Sequence, residues 1–333
     1  MTARQLVAET IRRGQRFLLT CHLSPDVDAM GSMLGLAALL RRLDKEVVLY
    51  HPEPVPKRLA FLWGSGGIVT KVPAGQVFDA TLVTDTAARN LLQVEWPAPE
   101  VTGPVVMLDH HRVHDDFGDI VFRDVQACAT AMVIRELAQE LGFVQLPKAA
   151  ALPLYAALVA DTGGFRYSGT TATTLRVAAD LVDAGVDPAQ VAREVFENWS
   201  RARMRLLGQV IADMESLAEG RITLSAMELS TIEELGASDR LMAGMVDYGR
   251  MLEGVEVAIS LWEQRCNLAD GGDSEAVRIK LSLRSTGRVD VAAVAKQLGG
   301  GGHRLAAGAS LTCGLQDAVQ QVVALVCAAL AEV

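Results

Sequence analysis

The sequence predicts an α/β protein in two parts. An N-terminal domain has a mostly parallel sheet flanked by helices, and a helical connector joins it to a smaller α+β C-terminal domain. Three observations carry this expectation. Residues 16–50 read as strand, helix, strand, the building block of a parallel sheet. Three apolar strand-type runs before residue 112 each end in ionisable residues, at the tips where open α/β sheets place ligand sites. After Gly220 the pattern changes to alternation of apolar and polar residues at period two, which marks half-buried antiparallel strands. The boundaries drawn from these changes are 1–190, 191–220 for the connector and 221–333.

The elements follow in order. Residues 2–14 read as an amphipathic helix and 16–21 as a short strand. The strand runs into His22-Leu23-Ser24-Pro25-Asp26-Val27-Asp28, where Pro25 blocks helix locally, and Gly31 permits close backbone approach. A helix to about Asp44 carries Leu34, Leu36, Leu39, Leu40 and Leu43, and residues 46–50 form the next strand. A proline-rich loop and a short helix around Leu59–Leu62 lead to a strand at 78–85, ending in Asp85. Val105-Val106-Met107-Leu108 is another, ending in Asp109-His110-His111. Neighbouring side chains on a strand face opposite ways, so His110 and His111 serve one site only if the chain turns there. Helices are expected near 128–142, 148–160, 171–184 and 188–219; the fourth starts at Pro188, whose fixed φ suits that position. Beyond Gly220, residues 221–226 read as a strand and 238–251 as a helix. Residues 255–262 and 277–283 both alternate, joined by a turn at Gly271-Gly272-Asp273.

Composition bounds the function. The 333 residues carry a formal net charge of −9 with no basic stripe, which argues against gripping long nucleic acids. It leaves room for a small phosphorylated ligand held by local donors. No apolar run approaches the ~20 residues of a membrane span, and the N-terminus lacks the layout of a secretory signal. Five cysteines without paired spacing suggest a reducing compartment, so a cytoplasmic location is expected. Cys21, Cys128, Cys266, Cys313 and Cys327 read as core filling.

The chemistry gathers at element ends: His22, Asp26, Asp28, Asp85, Asp109, His110, His111, and Asp161 of Asp161-Thr162-Gly163-Gly164. Packing four or more carboxylates together is costly unless protons or cations compensate. Oxygen-rich ligation with some imidazole and no thiolate favours hard divalent ions, Mn²⁺ or alternatively Mg²⁺. So many donors suit a pair of ions better than one, and such a pair suits hydrolysis of a phosphoester. In the C-terminal part, Gly299-Gly300-Gly301-Gly302-His303 follows an expected helix at 289–298. A glycine loop of this kind turns N–H groups toward an anion. Arg284-Ser285, just upstream, adds a guanidinium suited to phosphate.

His22-x-x-x-Asp26-x-Asp28, Asp85, Asp109-His110-His111 and Asp161-Thr162-Gly163-Gly164-Phe165 resemble the four motifs of the DHH phosphoesterase superfamily. Residues 299–308 are similar to the GGGH motif of its DHH-associated C-terminal domain. The resemblance runs in order over essentially the whole chain. It points to the stand-alone oligoribonucleases that are also 3′-phosphoadenosine-5′-phosphate phosphatases, the nanoRNase type. It implies two Mn²⁺, with His22 and Asp26 holding one, Asp28, His110 and Asp161 the other, and Asp85 bridging. It implies His111 as the contact to the scissile phosphate and Asp109 as the group that orients an imidazole. Arg284, Ser285, Gly301, Gly302 and His303 are the implied substrate-binding residues. The implied partners are short oligonucleotides and nucleotide phosphates, not a membrane; a homodimer is left open. Two alternatives stand beside this reading: a cyclic di-AMP or linear dinucleotide phosphodiesterase, and a nucleotide sensor or RNA-binding module without catalysis.

Other residues carry blander expectations. His51 and His114 read as surface or loop residues, Arg89 as a helix-surface residue, and Trp63 and Trp262 as core rather than base-stacking platforms. Tyr167, Ser168 and Thr170 lie in a polar loop that could touch substrate.

Overall fold

The computed structural model describes residues 1–62, 67–92, 96–111, 115, 117–267 and 275–332. Trp63, His114 and the turn expected at Gly271-Gly272-Asp273 lie outside the described residues. The chain divides into two compact units, Met1–Asn198 and Trp199–Val333.

The first unit runs α1 (Ala3–Arg13), β1 (Arg16–Cys21), α2 (Val27–Arg42), β2 (Glu46–Tyr50), β3 (Ile68–Val69), β4 (Ala80–Thr84), α3 (Pro99–Thr102), β5 (Val105–Asp109), β6 (Ile120–Arg123), α4 (Thr130–Glu140), α5 (Lys148–Asp161), α6 (Ala172–Asp183) and α7 (Pro188–Phe196). Its sheet has the order β3-β2-β1-β4-β5-β6, and all its pairings are parallel. Strand β1 therefore has its successor on one side and β4 on the other. This is a topological switch point, and the loops leaving the two strands there diverge and open a crevice at their carboxyl ends. The residues of β4 are all buried, as a strand covered on both faces must be. Helix α2 packs on α5 with almost no gap: a Cβ at Gly31 would lie 2.4 Å from the Pro153 carbonyl oxygen. That contact fixes the start of α2, and with it Asp26 and Asp28, against the end of α5 that carries Asp161.

The second unit runs α8 (Arg201–Ala212), β7 (Glu215–Leu217), β8 (Ile222–Met227), α9 (Leu229–Glu234), α10 (Val246–Gly249), β9 (Val257–Asn267), β10 (Glu275–Ser285), α11 (Val291–Gln297), β11 (Gly301–His303), β12 (Ala306–Leu311) and α12 (Leu315–Ala331). The sheet order is β11-β12-β10-β9-β8-β7, with β8 and β9 parallel and the other pairs antiparallel. One face, through Ile259, Leu261, Ile279, Leu281 and Leu283, packs on Val291, Val294, Val322 and Val326 of α11 and α12. On the other side, Trp262 and Met227 join Leu206, Val210, Ile232, Met242 and Met245 in a separate cluster.

The structure departs from the sequence expectations at several places. The stretch read as a connector is two helices, because Asn198 takes a left-handed backbone (φ 62°) between α7 and α8. Leu206 and Val210 of α8 are core residues of the second unit. The single helix expected at 238–251 is a 3-10 turn at Asp239–Met242 and the short α10, parted by Gly244 at φ 85°. The glycine-rich stretch is not a free loop: Gly301–His303 is an edge strand on β12. Cys313 and Cys327 are exposed, so the core-filling reading fails for them. Cys313 lies just beyond the end of β12, and Cys327 is on the exposed face of α12. Among the described residues no helix is long and apolar enough to cross a membrane.

Candidate active site

The carboxyl ends of β1, β4 and β5 converge with the end of α5. Asp26 caps α2, with its carboxylate accepting from the Ala29 N–H at 3.0 Å. Asp28, in the first turn of that helix, lies on its inner face. Asp85 follows β4 in a left-handed backbone (φ 53°), which aspartate tolerates better than most residues and which turns its carboxylate out of the strand direction. Strand β5 stops at Asp109, and the turn beyond it brings both following imidazoles to one place, with ring centroids 4.7 Å apart.

Hydrogen bonds fix the imidazoles. His110 Nδ1 lies 3.2 Å from the Ala127 carbonyl and His22 Nδ1 2.8 Å from that of Leu23, so each donates from Nδ1 and presents Nε2 to the carboxylates. His110 Nε2 is 3.3 Å from Asp161, 3.6 Å from Asp85 and 3.8 Å from Asp28. His22 Nε2 is 3.6 Å from Asp85. His111 is held differently: its Nδ1–H donates to Asp109 at 2.7 Å, and Asp109 also accepts the His110 backbone N–H at 2.9 Å.

Among the described residues the result is three groups of donor atoms, each within 4.8 Å mutually: His22, Asp26 and Asp85; Asp28, His110 and Asp161; Asp85, His110 and His111. Asp85 and His110 each belong to two of them. Asp28, Asp85 and Asp109 are exposed by no more than 3%, which ordinary solvation cannot support. Among the described residues no lysine or arginine pairs with Asp26, Asp28, Asp85 or Asp161. The electrostatics show the resulting conflict. Burial, then the charges of Asp85 and Asp26, push the Asp28 carboxyl well above its ordinary pKa. Burial and the charges of Asp28, Asp26 and Asp85 do the same to Asp161. Asp85 goes the other way: burial would raise it, but His22, His111 and His110 bring it down to about 2. Burial would lower His22 and His111, yet the carboxylates beside each overcome this and lift both to about 9. A site that must drive its acids neutral and its bases charged is short of positive charge. The donor set, oxygen-rich with imidazole and without thiolate, fits a pair of hard divalent cations.

Two residues that the sequence did not single out complete the framework. Thr130, at the start of α4, is fully buried. Its hydroxyl donates to Asp85 at 2.9 Å and its N–H to Asp28 at 2.7 Å; Ala131 N–H and the Ser32 hydroxyl also donate to Asp28. His51, expected at the surface, is fully buried: its Nε2 lies 3.2 Å from the His22 carbonyl and its Nδ1 2.9 Å from that of Glu53. Nothing local in the sequence marks either one, because the site residues they touch, Asp28 and Asp85 for Thr130 and His22 for His51, are distant in the chain.

In the second unit, a cavity of about 640 Å³ is lined by Arg284, Gly299, Gly300, Gly301, Gly302 and Gly308 together with Trp262, Lys280, Ser282 and Ser310. Arg284 is paired with Asp247 at 3.2 Å. His303 closes β11 opposite Ala306, in cross-strand line with Arg284. Ser285 is not brought to this cavity. Alternation along β10 turns it to the opposite face from Arg284, where its Oγ accepts the Gly287 N–H at 3.0 Å.

Comparison with known proteins follows the same division. Residues 16–160 match the DHH family, N-terminal domain, and residues 225–332 match the DHHA1 domain. The bifunctional oligoribonuclease and PAP phosphatase NrnA of Thermus thermophilus is 33% identical over 312 residues, covering 92% of this chain and 88% of that protein. The chain belongs to the DHH family. As a DHH-family phosphoesterase it is a hydrolytic enzyme. The protein of the same name from Bacillus subtilis is 28% identical, covering 91% of each chain. The solved structure of an exopolyphosphatase-related protein from Bacteroides fragilis superposes with a TM-score of 0.85 at 23% identity, over 97% of this chain and 95% of that one, a likeness of fold.

Proposed function

We propose that this DHH-family enzyme hydrolyses short oligonucleotides to mononucleotides and removes phosphate from 3′-phosphoadenosine 5′-phosphate, with two Mn²⁺ as cofactor. The observation that carries the reading is the two donor groups, His22/Asp26/Asp85 and Asp28/His110/Asp161, linked through the third group of Asp85, His110 and His111 in a site short of positive charge. The relatives from Thermus thermophilus and Bacillus subtilis carry both activities in their names, which supports the substrate class. His22, Asp26 and Asp85 would hold one cation; Asp28, His110 and Asp161 the other, with Asp85 shared. When bound, the two cations supply the charge that neutralises phosphoryl oxygens and acidifies water.

The chain's own residues do the rest. Asp109 keeps the His111 proton on Nδ1 and orients the ring, so an imidazolium has a second proton on Nε2 for a phosphoryl or leaving oxygen. Without divalent cation, the Asp109 and Asp85 carboxylates overcome burial and lift His111 to about 9, and the hydrogen bond to Asp109 is the part of this that does not depend on the proposed metal ligands. Thr130 keeps Asp85 and Asp28 in register with each other. In the C-terminal unit, Arg284, Gly301, Gly302 and His303 are assigned to the phosphate or nucleotide that is not cleaved. Incubation with Mn²⁺ and a 5′-phosphorylated diribonucleotide should release mononucleotides, and the same preparation should dephosphorylate 3′-phosphoadenosine 5′-phosphate. Turnover of neither, or of cyclic di-AMP alone, would overturn the reading.

A further inference from the structure

The glycine-rich cavity holds a cation that the sequence pattern does not single out. Along β10, Lys280, Ser282 and Arg284 share one face, while Ile279, Leu281 and Leu283 enter the core. Cross-strand register extends each into a row. Arg284 stands beside Ala306 and His303, Ser282 beside Gly308 and Gly301, and Lys280 between Trp262 and Ser310. The middle row has no side chain larger than serine, so a trough runs between the Arg284 row and the Lys280 row. Its glycines are required by space: a Cβ at Gly300 would lie 2.1 Å from the Gly308 carbonyl oxygen, and one at Gly308 2.7 Å from that of Leu281. None of the described residues lining the trough is acidic, in a chain of net charge −9.

The two cations differ in state. Arg284 is already engaged by Asp247 and by the Leu283 carbonyl. Lys280 is half-buried at the trough wall and has no hydrogen-bond or ion-pair partner among the described residues. At ~3.4 Å per residue the two stand about 13–14 Å apart along the strand, too far to share one phosphate. The two charged side chains here only donate, and among the described lining side chains only Ser282 and Ser310 can accept, so the complementary ligand is rich in acceptors and carries two separated anionic groups.

We propose that Lys280, with Ser282 and Ser310, forms a second phosphate subsite for the backbone of an oligonucleotide whose other phosphate lies at Arg284. Lys280 thereby favours substrates of several nucleotides over a single nucleotide bisphosphate. The inference rests on the nucleotide substrate proposed above.

The test compares wild type with Lys280→Gln and Lys280→Arg. Binding of a 5′-phosphorylated, 3′-labelled tetraribonucleotide is followed by fluorescence anisotropy in chelator, between about 50 and 200 mM salt. One lost phosphate contact should lessen the slope of log K against log salt by about 0.7, and Lys280→Arg should restore it. With divalent cation present, Lys280→Gln should lower the ratio of kcat/KM on the tetranucleotide to that on 3′-phosphoadenosine 5′-phosphate about ten-fold, the size of one charge-assisted contact. An unchanged slope, an unchanged ratio, or a wild type that does not bind the tetranucleotide overturns the subsite. Absence of turnover on every nucleotide would instead defeat the proposed function. The slope needs no turnover and decides Lys280 independently.

Discussion

The two candidate sites of this chain are built by opposite means. The first unit gathers five aspartates and three histidines at the carboxyl ends of parallel strands and of α5, with Asp28, Asp85 and Asp109 buried and the imidazoles held by fixed hydrogen bonds. The second unit uses backbone, with a row of glycines along an antiparallel sheet and two cations at its rims. One region is short of positive charge and suits metal ions. The other has no carboxylate among its described lining residues and suits the anions of a substrate. The contrast also separates how each tolerates change: the first depends on which atoms are present, the second on which atoms are absent.

The largest expected effect follows from removing a shared donor. Asp85→Ala should cost activity well beyond the ~10–100-fold typical of an outer hydrogen-bond partner, because it strips two donor groups at once. Steady-state rates on a diribonucleotide with Mn²⁺ measure this, and a loss of less than that range would mean Asp85 is not shared.

Next comes the framework behind the donors. Thr130→Val removes the hydroxyl that Asp85 accepts while leaving the N–H to Asp28, so Mn²⁺ affinity by calorimetry should weaken by about 10–100-fold. Thr130→Ser should restore it. An unchanged affinity in the valine variant would reduce Thr130 to packing.

A pH titration sharpens the contrast in charge. Without divalent cation, His22 and His111 hold their protons more tightly in the folded chain, with pKa near 9 against about 6.5 unfolded. The folded state then binds more protons than the unfolded one across this interval, so stability falls as pH rises from about 6.5 through 9. The raised carboxyls of Asp28 and Asp161 act in the same direction, from about pH 4 upward. Thermal melts in chelator should show this decline, and saturating Mn²⁺ should flatten it. A melting temperature that climbs over the interval would contradict the charge deficit.

The smallest effect separates two neighbouring glycines. Gly300→Ala should destabilise the chain by about 1–3 kcal/mol, the usual cost of overpacking, since its Cβ meets the Gly308 carbonyl oxygen. Gly301→Ala meets nothing within 4 Å and should leave the melting temperature nearly unchanged.

The same contrast explains what was legible in the sequence. The parallel sheet could be read because its buried strands are apolar throughout and end in charges, as at Val105–Asp109. Alternation exposed β9 and β10 for the same reason. The edge strand Gly301–His303 could not be read, since a glycine strand carries no side-chain period and its pairing with β12 (Ala306–Leu311) is set by backbone alone. The aspartates and histidines of the first site stood out as charges at the ends of apolar runs. Thr130 and His51 did not, because each reaches the site through a partner remote in sequence, 45 residues away in the case of Asp85 and 29 for His22. Ser285 was misplaced because adjacency to Arg284 in sequence means opposite faces on a strand.

The first unit is proposed to hold two divalent cations through a shared Asp85. Equilibrium dialysis of the purified chain against Mn²⁺ tests it most directly, alongside the Asp85→Ala variant. Two Mn²⁺ per chain are expected in the wild type and fewer than two in the variant. A wild type that binds one or none, or a variant that still binds two, would contradict it.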